Sequence, residues 1–291
     1  MFIVKVHYGL GNQLFQYALA RSLAVRRNAD FRLDKSFFST DVFAEHPRVY
    51  QLDQFNILQR LATADEIRYY TRPNYWQRGL RAIERRIMPY YKQRVVNEIR
   101  LDFDENIFNV NDSAYLAGYW QDIRYFSDIE DDLRKELTFR HPPTGRNKEL
   151  FDKINTTDSI SLHIRRGDYL TDSFTVVNVG CCDADYYRRA IEEIIKDVSD
   201  PVFYIFSDDP GWVKENFHIP FPVVYVDNNP EENAVEDLRL MRSCKYHITA
   251  NSSFSWWGAW LSGHGNKKVI APRVWRSKGP NMFMPAGWKA I

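Results

Sequence analysis

The feature that most constrains the fold is a regular alternation of short apolar segments and longer amphipathic segments in the second half of the chain. The apolar segments predict strands at 159–164, 202–207, 223–227, 246–250 and 268–272. The amphipathic segments predict helices at 184–198, 234–244 and 253–263. Strands that alternate with helices form parallel sheets with right-handed crossovers. The second half is therefore predicted to be a Rossmann-like α/β domain with a parallel sheet.

The first half opens in the same way but is less regular. A strand is predicted at 1–6, a tight loop at 7–13, a helix at 14–28 and a second strand at 29–34. Residues 41–140 are rich in aromatic side chains and show no regular hydrophobic periodicity. A cluster of Pro142, Pro143 and Gly145 marks a break in the pattern. Two domains are therefore predicted, 1–145 and 146–291.

The overall composition excludes several classes of protein. The chain has 291 residues, of which 44% are hydrophobic, so it can bury a large core. A formal net charge of +1 argues against a nucleic-acid partner. The three cysteines have no metal-ligand spacing, which predicts free thiols in a reducing, cytoplasmic compartment. The start has no apolar leader, and no apolar run approaches the ~20 residues that span a bilayer, so we expect a soluble or peripheral protein.

Unusual polar residues follow three of the predicted strands, of which the strand at 202–207 ends in Ser207 and is followed by Asp208 and Asp209. Parallel sheets bind ligands at the carboxyl ends of their strands. Arg165 and Arg166 follow one strand, and arginine is suited to phosphate because its planar fork donates two parallel hydrogen bonds. Asn251, Ser252 and Ser253 follow another strand immediately before a helix, where backbone N–H groups attract phosphate. Together they predict a nucleotide diphosphate site, although surface arginines and an ordinary helix cap are the alternatives.

Two other motifs resemble cofactor-binding sequences but predict neither NAD nor a metal ion. The loop at 9–13 lacks the third glycine of a dinucleotide fingerprint, so NAD binding is not predicted. The D-x-D pairs at 102–104 and 183–185 do not follow a buried strand in a nucleotide-binding position, so no metal site is predicted. Trp256 and Trp257 are expected in the core, with a sugar-binding surface as the alternative.

Four segments in this order carry a resemblance to a known family. They are "GLGNQLFQYALARSLA", "SLHIRRGDY", "YIFSDD" and "DLRLMRSCKYHITANSSFSWWGAWL". Together they resemble the bacterial-type α-1,2-fucosyltransferases of glycosyltransferase family 11. The H-x-R-R-x-D stretch is also similar to that of α-1,6- and protein O-fucosyltransferases, whereas "NSSFSWWGAWL" points to the α-1,2 group. Tyr8 departs from the pattern, since a glycine is expected there.

The resemblance implies a fold and a reaction. The expected fold is GT-B-like, with two Rossmann-like domains facing across a cleft, the first on the acceptor side and the second binding GDP-fucose. The expected enzyme is an inverting galactoside α-1,2-L-fucosyltransferase, which moves L-fucose from GDP-β-L-fucose to the 2-hydroxyl of a β-galactoside. It needs no cofactor and no essential metal. Another GDP-sugar-dependent transferase and a non-catalytic carbohydrate-binding protein are the alternatives.

The resemblance also assigns roles to individual residues. Arg165 would stabilise the departing GDP with help from Arg166, and Asp168 would be a general base or would orient the arginines. The leaving phosphate could instead take the acceptor proton. The donor-binding roles fall into three groups: guanine or ribose contacts from His163 and Asp237, phosphate contacts from Asn251, Ser252, Ser253 and Phe254, and fucose or β-phosphate contacts from Gly9, Gly11 and Asn12. Asn12 is also expected to be catalytic, as a hydrogen-bond donor to a phosphate or sugar oxygen.

Residues 76–94 predict an amphipathic basic helix. Trp76, Leu80, Ile83 and Ile87 recur at helical spacing among arginines and lysine. One hypothesis is a helix packed on its own domain with a solvated basic face. The other is a surface helix that rests on anionic lipid and brings the enzyme to a lipid-linked glycan on the cytoplasmic side of the membrane.

Overall fold

The computed structural model of the chain describes residues 1–39, 48–167, 180–276, 281 and 284–291. The chain divides into two compact units, Met1–Thr138 and Phe139–Ile291. The boundary predicted after residue 145 falls one residue inside a helix that begins at Gly145.

The first unit is built around a four-stranded parallel sheet in the order β2-β1-β4-β3. Its strands are β1 (Phe2–Lys5), β2 (Phe31–Asp34), β3 (Val95–Asn97) and β4 (Ala114–Ala117). Its helices are α1 (Leu10–Arg27), α2 (Ala64–Thr71), α3 (Tyr75–Ile87) and α4 (Glu130–Glu136). Short 3₁₀ turns fill much of the region without clean periodicity, including Glu105–Asn109 and Ile123–Tyr125.

Helix α1 begins earlier than the sequence predicts. Residues 7–13 were expected to form a loop, but Gly9 is the N-cap and the helix starts at Leu10. The two glycines suggested a loop, whereas burial of the first turn stabilises a helix: Leu10, Gly11 and Gln13 are all buried. At its other end the helix is tied to α4, because Arg21 forms a 2.7 Å ion pair with Glu136.

The second unit contains a six-stranded parallel sheet in the order β10-β9-β8-β5-β6-β7. Its strands are β5 (Asp158–Ile164), β6 (Pro201–Ser207), β7 (Val223–Val226), β8 (Tyr246–Ile248), β9 (Val269–Ala271) and β10 (Lys289–Ala290). Its helices are α5 (Gly145–Thr156), α6 (Ala184–Ile194), α7 (Pro210–Asn216), α8 (Ala234–Ser243) and α9 (Ser253–Leu261). The strands and helices predicted for this half are confirmed.

Each unit is a Rossmann-like α/β structure on a parallel sheet, so the predicted fold class is confirmed. The tryptophans of α9 belong to the core: Trp256 and Trp257 are fully buried, and the alternative that they line a sugar-binding surface is wrong. Among the described residues, no helix combines the length and the apolar character that crossing a membrane requires.

Helices α8 and α9 pack closely at one glycine. A methyl group on Gly258 would lie 2.7 Å from the sulfur and 3.2 Å from the Cβ of Met241, and the second atom cannot swing away. We therefore expect Gly258→Ala to lower the free energy of unfolding by about 1–3 kcal/mol, because it overpacks a tight contact. Denaturant unfolding followed by circular dichroism measures the change.

Gly79→Ala is the matched control for this prediction. Gly79 lies within α3, and nothing stands within 4 Å of the position an added Cβ would take. Alanine there should raise the free energy of unfolding by about 0.5–1 kcal/mol, since alanine loses less backbone entropy in a helix. If both substitutions stabilised the chain equally, the contact between Gly258 and Met241 would not be too tight to accept a methyl group.

Candidate functional site

The sheet order of the second unit gathers three polar strand ends at one edge. Strand β5 lies between β8 and β6, and all three run parallel. Ile164, the last residue of β5, pairs with Ser207, the last residue of β6. The segments 165–167, 208–209 and 251–253 therefore leave neighbouring strands at the same carboxyl edge, where ligands of such sheets bind.

Asp208 holds the segment that follows β5. One of its carboxylate oxygens lies 3.1 Å from Nε of Arg165, and the other accepts the backbone N–H of Arg166 at 2.9 Å. A Cβ on Gly167 would lie 2.7 Å from the same carboxylate, so only glycine fits without a shift. One carboxylate thus fixes two consecutive residues, and the Arg165 and Asp208 side chains keep 21% and 20% of their surface exposed.

Arg166 is held by a second pair of contacts. Its guanidinium carbon lies 3.3 Å from the centre of a Trp212 ring, a stacked cation–π arrangement. Its Nε is 3.9 Å from Asp209. Because Trp212 stands in the first turn of α7, directly after β6, this side chain is oriented by the neighbouring strand end.

His163 lies beneath the arginines as a buried neutral ring. It is 4% exposed, and burial together with the charge of Arg165 lowers the pKa of His163 to about 3. Its Nδ1 has no hydrogen-bond partner within the part of the chain that the structure describes. The Phe254 ring lies 5.8 Å away, centre to centre, which brings the first turn of α9 beside the end of β5.

The turn before α9 is already built by internal hydrogen bonds. Ser252 is the N-cap, and its hydroxyl accepts the N–H of Phe254 at 3.3 Å. Buried Asn251 donates to the carbonyl of Gly180 at 2.8 Å and accepts from the Cys182 thiol at 3.4 Å. Asn251 therefore positions the turn, while the half-buried Ser253 is the first residue of the helix.

Asp237 lies in the first turn of α8. It accepts a 2.7 Å hydrogen bond from the Asn229 amide. Burial raises the pKa of Asp237 to about 7, although that hydrogen bond acts in the opposite direction. Near neutral pH the carboxyl group therefore changes between its protonated and ionised forms, so a ligand that donates hydrogen bonds would favour the ionised form.

Three further predicted residues lie in the first unit, at the start of α1. Gly9 is the N-cap, Gly11 is buried in the first turn, and the Asn12 side chain accepts a 2.6 Å hydrogen bond from Gln121. Tyr8 has a φ of 63°, a left-handed conformation that favours glycine. The glycine expected at this position is therefore explained by the backbone, even though tyrosine occupies it.

Asp168 lies outside the described residues. Asp104, Asp183 and Asp185 of the D-x-D pairs are used within the fold: Asp104 accepts from the Asn106 backbone, and Asp183 caps α6 through the Tyr186 N–H at 2.7 Å. Asp185 is paired with Arg189. In the described ranges no group of three or more histidine, cysteine or acidic side chains is placed to hold a metal ion.

The sequence did not assign roles to Asp208 or Trp212. The segment "YIFSDD" ends in two acidic residues, but the contacts of Asp208 depend on β6 being the neighbour of β5. Trp212 lies in the segment 208–217, for which the sequence predicts a loop with a short helix. The strand order of a parallel sheet is the signal that would have identified both.

Comparison with known proteins identifies the family. Residues 88–282 match the family described as glycosyl transferase family 11. The chain is 34% identical to an α-1,2-colitosyltransferase of Escherichia coli over 99% of this chain and 97% of that protein. It is 30% identical to the galactoside α-(1,2)-fucosyltransferase 2 of Mus musculus, over 51% of this chain and 44% of that one.

The fold is also found among solved structures. The NodZ α-1,6-fucosyltransferase of Bradyrhizobium, co-crystallised with GDP, aligns with a TM-score of 0.52 at 16% identity. The alignment covers 89% of this chain and 92% of that one. The resemblance inferred from the sequence motifs is confirmed, and the chain belongs to glycosyl transferase family 11.

Proposed function

We propose that this glycosyltransferase moves L-fucose from GDP-β-L-fucose to the 2-hydroxyl of a galactoside, with inversion at the anomeric carbon. The observation that carries the proposal is the arginine pair at the end of β5, fixed by Asp208 and Trp212. The names of the mouse relative and of NodZ support fucose as the sugar. Because NodZ was co-crystallised with GDP, its similarity to this chain supports GDP as the nucleotide.

Arg165 has the central role in the proposed reaction. As the bond between the anomeric carbon and the β-phosphate stretches, positive charge develops on the sugar and negative charge on the departing GDP. A guanidinium held in place before the reaction stabilises that negative charge without reorganisation. Arg165 is held in this way by Asp208, and Arg166 assists from its stacked position.

The other groups at this edge would bind the nucleotide. The Ser252, Ser253 and Phe254 N–H groups at the start of α9 are assigned to the phosphates, and Asn251 orients that turn. Neutral, buried His163 and the Asp237 carboxyl group are assigned to the ribose and guanine. A carboxylate that accepts two hydrogen bonds from guanine would exclude adenine. The donor contacts of Gly9, Gly11 and Asn12, and the role of Asp168, stay predictions.

We propose that no metal ion is needed. Two arginines and backbone donors are assigned to the charge of the diphosphate, and Asp104, Asp183 and Asp185 of the D-x-D pairs serve as caps and ion-pair partners. Direct displacement by the acceptor hydroxyl requires no covalent intermediate.

A second candidate concerns the transferred sugar alone. A relative that matches over nearly its whole length is named a colitosyltransferase, so colitose is the alternative to fucose at the same site. A different GDP-sugar transferase and a non-catalytic carbohydrate-binding protein are the remaining alternatives.

The donor assignment is tested by incubating the chain with lactose and a panel of donors in the presence of EDTA. The donors are GDP-fucose, a GDP-linked colitose, GDP-mannose and UDP-galactose. We expect a fucosylated product with an α-1,2 linkage, identified by NMR, and turnover that EDTA leaves largely intact. Transfer from the colitose donor alone would replace fucose in the proposal. Loss of turnover in EDTA that a divalent ion restores would refute the metal-free mechanism.

Arg165→Lys tests the phosphate contact. Lysine keeps the charge but not the planar fork, so kcat should fall by ~10²-fold or more. Asp208→Asn should also lower kcat, because it weakens the contact that orients Arg165. The matched control is Arg188→Lys, an exposed arginine on α6 that pairs with Glu192, and it should leave kcat unchanged. Near-parental turnover by a folded Arg165→Lys variant would contradict the assignment.

We also propose that helix α3 places the chain on the cytoplasmic face of a membrane. Cys181, Cys182 and Cys244 form no disulfide bond, which agrees with a reducing compartment. No residue of α3 is buried, and Trp76, Leu80, Ile83 and Ile87 are 80%, 64%, 57% and 71% exposed. The hypothesis that this helix packs its apolar side on its own domain is therefore wrong.

Charge complementarity favours anionic lipid as the partner of α3. Arg85 and Arg86 are exposed on the same helix as the apolar stripe. A helix with an apolar stripe beside cationic side chains can rest in the interface of an anionic membrane. Such a position would bring the enzyme to a lipid-linked galactoside.

Co-sedimentation with anionic vesicles tests the membrane contact. We expect the chain to bind phosphatidylglycerol vesicles at low salt and to release as salt increases, because part of the attraction is electrostatic. Arg85→Glu with Arg86→Glu should abolish binding. The control pair Arg146→Glu with Lys153→Glu makes the same charge change on exposed positions of α5 and should leave binding intact. Absence of binding by the parent at low salt would overturn the proposal.

A further inference from the structure

The first unit carries an open cavity of about 340 Å³ at the carboxyl edge of its sheet. The residues that follow β1, β3 and β4 line it, including Tyr8, Glu98 and Tyr119. Ligands of parallel sheets bind at this edge, and small-molecule sites begin at roughly 300 Å³. All the residues that line the cavity belong to the first unit.

Aromatic rings form one wall of the cavity. Tyr8 and Tyr119 are stacked with ring centres 5.7 Å apart, and Phe37 lies 5.2 Å from Tyr8. The ring of His7 meets Tyr8 and Tyr119 edge-on, at 4.9 and 5.1 Å. Tyr8, Phe37 and Tyr119 are half-buried, so each ring is supported by the protein and still reaches solvent.

The backbone around these rings adopts conformations that are costly in free energy. Tyr8 has a φ of 63° and Trp120 has a φ of 48°. Any side chain on Gly118 would collide with Glu98, so this position requires glycine. Non-glycine residues in the left-handed region concentrate at ligand sites, where surrounding contacts hold them in place.

Polar groups complete the cavity. The Glu98 carboxylate accepts the backbone N–H groups of Tyr119 at 2.6 Å and of Trp120 at 3.1 Å, which fixes it beside the aromatic wall. Lys5 and Asn97 also line the cavity. Burial, with the charge of Lys5, lowers the pKa of His7 to about 4, so its ring is neutral at physiological pH.

This combination fits a neutral polyhydroxylated ring. The negative face of an aromatic ring attracts the C–H hydrogens on one face of a pyranose, while a carboxylate and an amide bond its hydroxyl groups. A carboxylate in the cavity disfavours a phosphate. We propose that the cavity formed by Tyr8, Phe37, Tyr119 and Glu98 is the subsite for a pyranose of the glycan acceptor. The inference rests on the proposed function, since it assigns the acceptor of that reaction.

The test measures acceptor binding and donor binding separately. Lactose is the probe, its binding is followed by saturation-transfer NMR, and GDP binding is followed by calorimetry. Tyr119→Ala and Phe37→Ala should weaken lactose binding and raise the KM for lactose by about tenfold or more, because each removes an aromatic face. The affinity for GDP should change by less than about twofold.

Two further variants test whether the loss of lactose binding is specific to the aromatic rings of the cavity. Tyr119→Phe keeps the ring and should bind lactose nearly as well as the parent. Tyr69→Ala is the matched control, a half-exposed tyrosine of the same unit that does not line the cavity, and it should change neither binding event. Thermal unfolding of each variant checks that the first unit is folded.

The outcomes distinguish the two proposals. Lactose binding that Tyr119→Ala abolishes, in a chain that does not cleave GDP-fucose, would support the subsite and refute the proposed donor. Unchanged lactose binding in folded Tyr119→Ala and Phe37→Ala, or no lactose binding by the parent, would overturn the subsite. Weakened GDP binding in Tyr119→Ala would identify the cavity as a nucleotide site instead.

Discussion

Asp208 holds two consecutive residues of the segment after β5, and the geometry of the candidate donor site depends on that double contact. It orients the Arg165 guanidinium through one oxygen and the Arg166 backbone through the other. Hydrogen bonds to a charged group contribute roughly 1.5–3 kcal/mol each. The contact works only because β6 pairs with β5 in parallel, and because Gly167 leaves room for the carboxylate. The two arginines are therefore oriented before any ligand arrives.

The second unit could be predicted largely from the sequence, whereas the first could not. Central parallel strands such as β6 are buried on both faces and read as continuous apolar runs, and local helix signals separate them. In the first unit, β4 pairs with β1 across more than 100 residues, and 3₁₀ turns replace long periodic helices between them. Neither feature produces a regular hydrophobic periodicity in the sequence. The start of α1 was missed for a related reason, since tertiary burial outweighs the low helix propensity of Gly11.

The candidate site, like the fold, could be predicted from the sequence only in part. Arg165, Arg166 and the Asn251–Ser253 turn were identified because their chemistry is visible in the sequence beside a strand end. Asp208 and Trp212 were not assigned roles, because their importance comes from which strand is the neighbour. The aromatic cavity was also missed, because Tyr8, Phe37 and Tyr119 come from distant segments. Single strand ends are readable from the sequence, but pairings between them are not.

The exposed stripe on α3 has a consequence for the chain away from any membrane. Monomeric proteins in solution rarely keep contiguous apolar surface of this kind uncovered. With a formal net charge of only +1, the chain also has little overall repulsion between copies. Its colloidal behaviour should therefore depend on protein concentration and on mild detergent, since a micelle can cover the same surface that would otherwise meet a second molecule.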